Sequence, residues 1–95
     1  MIHELYAVKD TLVGFSQPFP MSNEAVALRS FAGAAQSPQQ NNVNTNAEHK
    51  QLWYIGTFDD VTGALVSKPR YVADASQFLM PGMMPTKEKD DAGSA

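Results

Sequence analysis

Apolar positions are unevenly spread along this 95-residue chain, and three segments show a period that predicts an element. Residues 2–8, IHELYAV, are short and rich in apolar side chains, the composition of a strand. Lys9 and Asp10 interrupt it. LVGFSQPFP then resumes as an extended, irregular connection, because Pro18 and Pro20 lack the backbone donor a central strand needs. The second periodic segment is helical. Ser22 is the expected N-cap, Glu24 lies in the first turn where its charge complements the helix dipole, and Met21 and Val26 are spaced as a hydrophobic staple. Ala25, Leu28, Phe31, Ala32 and Ala35 fall on one face of a 3.6-residue repeat. Pro38 stops the helix.

The third segment, residues 51–58, is the strongest strand. Trp53, Ile55 and Thr57 alternate with Leu52, Tyr54, Gly56 and Phe58, and both sets are mostly apolar. That pattern predicts a central strand with the helix over one face. After a turn, ALVSKPRYV reads as a partner strand ending near Pro69, and residues 73–79 as a helical turn.

Two stretches show no period, and both are too polar to join a core. Residues 36–50 contain a Gln/Asn-rich tract, expected to be a flexible loop. Residues 81–95 mix turn formers with charge and are expected to form a disordered tail. The expectation is a single α+β domain over residues 1–80, with a small antiparallel β-sheet of about three strands packed by one main helix.

Charge and size narrow the function classes. The net charge is −3, and residues 1–35, 36–85 and 86–95 carry −1 each. With no basic arm, bulk electrostatic condensation of DNA is disfavoured. A local basic patch of Lys50, Lys68 and Arg70 is still available. There is no cysteine, so disulfides and thiolate metal sites are excluded. The N-terminus has no secretory pattern and no window reaches the length of a membrane helix, which makes the cytoplasm the default location. A chain with so small a core is also a candidate homo-oligomer.

Candidate chemistry centres on F-D-D-V-T-G at 58–63. Adjacent carboxylates on a strand point to opposite faces, so Asp59 and Asp60 cannot share a proton or a water as a catalytic pair does. Asp60-Val61-Thr62-Gly63 instead fits a type I turn ending in a left-handed Gly. His3 and His49 are too few and too separated for a zinc site, and no nucleotide-binding or hydrolase motif is present. No catalytic residue, metal or cofactor is expected. The more informative pattern is aromatic rings interleaved with cations, the combination that grips single-stranded nucleic acid. Trp53 and Phe58 are assigned to the core, which leaves Tyr54, Lys68, Arg70 and Tyr71 as the expected contact residues.

The order of these elements resembles a known family. Lys9-Asp10, Pro18-Phe19, Ala27-Leu28-Arg29-Ser30-Phe31, Tyr54-Ile55-Gly56 and Phe58-Asp59-Asp60-Val61-Thr62-Gly63 together resemble the small non-structural protein of microviruses of the gokushovirus type, phages with single-stranded DNA genomes. The resemblance covers roughly residues 1–80. It implies a non-enzymatic protein of the infected bacterium's cytoplasm, labelled non-structural or DNA-binding. Such a protein acts in genome replication or packaging by binding single-stranded DNA. The alternative it leaves open is a protein–protein adaptor or dimer that binds a viral or host replication or packaging factor.

Overall fold

The structure, a computed structural model, describes residues 1–79. The tail expected at 81–95 lies outside the described residues. Five strands form one antiparallel sheet: β1 Ile2–Asp10, β2 Gly14–Phe15, β3 Phe19–Met21, β4 Lys50–Asp59 and β5 Leu65–Asp74. One helix, α1 Glu24–Ala35, packs on one face, and 3-10 turns cover Ala47–His49 and Ala75–Phe78. The α+β class with one helix on an antiparallel sheet is as expected, but the sheet has five strands rather than about three. The added strands are the fragments β2 and β3, which pair with successive parts of β1. Pieces of two and three residues are too short to show a period, so the segment between them reads as an irregular connection.

The long strands order as β1-β4-β5, with β5 on the outside. β1 also continues through Lys9 and Asp10, whose partners on β4 are Gln51 and Lys50. The ladder is interrupted near its middle. Leu5 and Tyr6 face Gly56 and Tyr54, so Ile55 is an extra residue against β1. On the other side Tyr54 faces Arg70 and Gly56 faces Ser67, leaving Lys68 and Pro69 opposite Ile55. This bulge on an outer strand is where a proline without an N–H is tolerated, and β5 runs through Pro69 to Asp74 instead of ending there. A second slip, between Leu52 and Trp53, turns Val72 toward the core.

The helix is capped one residue later than expected. Asn23, in extended conformation, accepts a hydrogen bond on its side-chain oxygen from the Val26 N–H, and Ser22 precedes the cap. The packing face shifts with it: Ala27, Phe31, Ala32 and Ala35 are buried, while Ala25 is exposed. They meet Tyr6, Val8, Leu52, Ala73, Ala75 and Phe78.

Residues 36–50 contribute to this core, contrary to their composition. Val43 and Ala47 belong to the buried cluster. Two asparagines fold the segment back. Asn41 accepts from the Val43 and Asn44 N–H groups at 2.8 and 3.0 Å and donates to the Ala34 carbonyl at 3.0 Å. Asn44 donates to the carbonyls of Ser37 and Gln39 at 3.1 and 2.9 Å. Lys50 is 8% exposed and donates to the Asn42 and Thr45 carbonyls at 2.7 and 2.8 Å. These bonds satisfy backbone groups that a buried loop would otherwise leave unpaired. They also remove Lys50 from any surface patch with Lys68 and Arg70.

Candidate nucleic-acid interface

Adjacent strand residues alternate between faces, and the four residues expected to act together are divided by that rule. Tyr54 lies on the helix side, edge-on to Tyr6 at 5.5 Å between centroids. Arg70 pairs with it across the strands, places its guanidinium 5.0 Å from the Tyr54 ring centre and donates to Glu24 at 3.0 Å. Tyr6 beneath them is almost fully buried and donates to Glu4 at 2.8 Å. Burial, followed by that bond to a carboxylate, pushes its hydroxyl pKa upward. Tyr71 is on the opposite face, and Lys68 is exposed on β5. The four do not form one patch on one face.

The sheet face away from α1, uncovered among the described residues, holds a different constellation. Trp53 pairs with Ala7 on β1 and Tyr71 on β5, while Lys9 pairs with Phe15 on β2. The rings form a row across the sheet. Phe15 and Trp53 lie 5.4 Å apart edge to face, and Trp53 and Tyr71 lie 6.3 Å apart in the same manner. The Lys9 ammonium is 4.8 Å from the Trp53 ring centre and 5.3 Å from that of Phe15, a cation held against two π faces. Phe15 and Tyr71 are about half exposed, at 49% and 45%. Trp53, assigned to the core from sequence, is only partly buried and lies on this open face.

The row is held in place by hydrogen bonds. The Trp53 indole N–H donates to Gln51 at 2.9 Å, and the Gln51 amide donates to Asp74 at 3.2 Å. Burial, then the charge of Asp74, raises the pKa of the Tyr71 hydroxyl. Beside the row, Ala7, Ile55, Pro18 and Pro69 line a cleft of about 530 Å³ walled by Phe15 and Trp53. Its lining is almost wholly apolar apart from Lys9 and Ser16, so it offers flat ring faces and a cation and no acid–base pair. Another cleft, of about 510 Å³, opens beside α1 and is lined by Val8, Phe31 and Leu52 together with Ser30 and Asn42.

The carboxylate pair closes the β4–β5 hairpin, with Asp59 rather than Asp60 as its capping residue. Asp59 accepts from the Val61 N–H at 2.9 Å and the Thr62 N–H at 3.4 Å, while its carbonyl receives the Gly63 N–H at 2.7 Å. Gly63 adopts φ 81°, the left-handed conformation expected of it. Asp60 turns to the first strand, 2.7 Å from the Met1 amino group and 2.8 Å from the His3 ring.

A family model described as Phage ORF5 protein matches residues 3–78. The chain belongs to that family. It is therefore a phage protein, and the matched span takes in the helix, the whole ring row and, apart from Ile2, all five strands. No curated protein matches the chain, and no solved structure does. In this phage protein the open-face site was legible only in part. Trp53 lies on an expected strand but is assigned to the core, Lys9 is read as interrupting the first strand, and nothing local places Phe15 beside them, because its two-residue strand has no pattern of its own.

Proposed function

We propose that this phage protein is a non-enzymatic binder of single-stranded DNA. It acts in replication or packaging of a single-stranded genome of the microvirus, gokushovirus-like type. The observation that carries the reading is the exposed row Phe15–Trp53–Tyr71 with Lys9 against two of its rings. Every base presents a π face, so rings on a sheet accept single strands without reading sequence, and stacking contributes about 1–3 kcal/mol per base. A duplex hides those faces. The acidic net charge is compatible with this mode, since affinity rests on stacking and a few local cations rather than on the whole chain's field.

Trp53 is the only tryptophan, so its emission reports the site directly. Titration with oligo(dT) at low salt is expected to quench it in parallel with a rise in anisotropy of the labelled oligonucleotide. Trp53→Ala is expected to weaken binding by roughly tenfold or more. Unchanged emission and anisotropy at low salt would exclude direct DNA binding.

A further inference from the structure

Lys9 occupies the place that a base stacked on Trp53 would take. On β1 the side chains of Tyr6 and Val8 enter the core, which turns Ala7 and Lys9 to the open face. From there the ammonium of Lys9 lies over the Trp53 ring at 4.8 Å and over that of Phe15 at 5.3 Å. Among the described residues this ammonium makes no hydrogen bond and no ion pair. Two other cations are held differently. Lys50 is buried and donates to two carbonyls, and Arg70 is bonded to Glu24 on the helix side. Contact with π faces alone is weak at a partly exposed site, worth about two- to fivefold in an equilibrium constant. The cation nearest the ring row is therefore also loosely held.

We propose that Lys9 is a movable cap on the stacking site: an incoming base displaces its ammonium from the Trp53 ring, and the ammonium then binds the phosphate of that same nucleotide. This rests on the reading of the open face as the base-stacking site. A base on an aromatic ring contributes about 5- to 150-fold in affinity, more than the cation–π contact it replaces, so the exchange favours the base. The displaced group has a short way to go. Every stacked base carries a phosphodiester within one sugar of its ring, and lysine presents three donors on a flexible four-carbon stem. No carboxylate has to be released first, because none holds Lys9 among the described residues. The cleft beside the row, lined by Ala7, Phe15, Pro18, Ile55 and Pro69, brings no other charge to the site than that of Lys9. Two opposed effects of one side chain follow: it covers the ring before binding and holds the strand after it.

The test uses the full chain and oligo(dT), with two readouts. In proton NMR the Lys9 ε-methylene signals of the free protein should be shifted upfield by the rings beneath them, and saturation with oligo(dT) should return them to ordinary lysine positions. Signals that stay ring-shifted in the complex overturn the exchange. Anisotropy of a labelled oligo(dT) over a salt series supplies the second readout. Lys9→Thr should weaken binding at low salt and reduce the slope of log K against log salt by about 0.7, the loss of one phosphate contact on a single strand. Its deficit should shrink as salt rises and then reverse, to about two- to fivefold tighter than wild type, because the Trp53 ring is no longer covered. Lys9→Arg should keep the wild-type slope. A deficit in Lys9→Thr that is the same at every salt concentration overturns the proposal. If Trp53→Ala abolishes binding while Lys9→Thr matches wild type in affinity and slope, the role of Lys9 alone is wrong. If wild type does not bind at all, the open-face reading falls with it.

Discussion

Leu52 and Trp53 are neighbours in the chain and lie on opposite faces of β4. Leu52 is 1% exposed beneath the helix; Trp53, the larger residue, is partly open to solvent on the other side. The same inversion runs through the molecule. Six of the twelve residues in the buried cluster are alanine, while the uncovered face carries Phe15, Trp53, Ile55 and Tyr71. An alanine-faced helix can sit close to the sheet, and the core it closes is thin. Tyr6, Phe31, Leu52 and Phe78 supply the large side chains of the core, while those of the other face stand where a ligand with flat faces can be met. Size and hydrophobicity alone do not distinguish the two faces; the helix position does.

The sharpest way to break this comparison is to truncate both neighbours. Leu52→Ala removes a fully buried side chain from the core, and should destabilise by about 3 kcal/mol. Trp53→Ala removes more atoms but from a partly exposed site, and should cost less than about half as much while removing the central ring of the row. Urea denaturation followed by far-ultraviolet circular dichroism measures both. Equal losses would mean that the open face contributes as much to folding as the covered one.

A smaller effect is expected where the faces are set. Gly56 adopts φ 148°, and a Cβ there would overlap the Val66 carbonyl oxygen of the neighbouring strand. Gly56→Ala must push β5 away or reset its bulge, at a cost of about 1–3 kcal/mol. Because the same bulge fixes the partners of Tyr54 and Trp53, the substitution should also disturb the contact between Trp53 and Tyr71. Near-ultraviolet circular dichroism of the folded variant reads that coupling, and an unaltered aromatic spectrum would show that the register survives.

What the chain made legible follows from how local each cause is. The strand at 51–58 and the helix at 24–35 carry their own periods and caps, so both could be read, the helix start to within one residue. The faces could not. Tyr54 and Tyr71 look equivalent along the chain, yet irregular pairing opposite Ile55 and at Val72 places them on opposite sides, and a bulge leaves little trace in side-chain pattern. The Asn tract departs from the flexible loop its composition predicts for a similar reason. Asn41 and Asn44 look like solvated polar residues until the helix end supplies the carbonyls they bind. Trp53 is expected in the core because a small domain needs its aromatic rings inside, whereas among the described residues the helix covers one face of the sheet and Trp53 lies on the other.

The smallest expected effect lies at the hairpin end, where both faces terminate. Hydrogen bonds from the Val61 and Thr62 N–H groups, the former stronger, together with the nearby His3, hold Asp59 below its ordinary carboxylate value of 3.8. The bond from the chain's first amino group, then that from His3, does the same for Asp60. On acidification the unfolded chain protonates these groups before the folded chain does. Their contribution to stability is therefore complete above the unfolded value and lost as pH falls through the lower folded values. Asp59→Asn keeps the acceptor and removes the charge. Its Tm deficit against wild type should be present at about pH 6 and shrink steadily below about pH 4. The open-face row should be indifferent to this change, because Lys9 and the three rings do not contact the turn; Trp53 emission that followed the Asp59 titration would show the two ends of the sheet to be coupled.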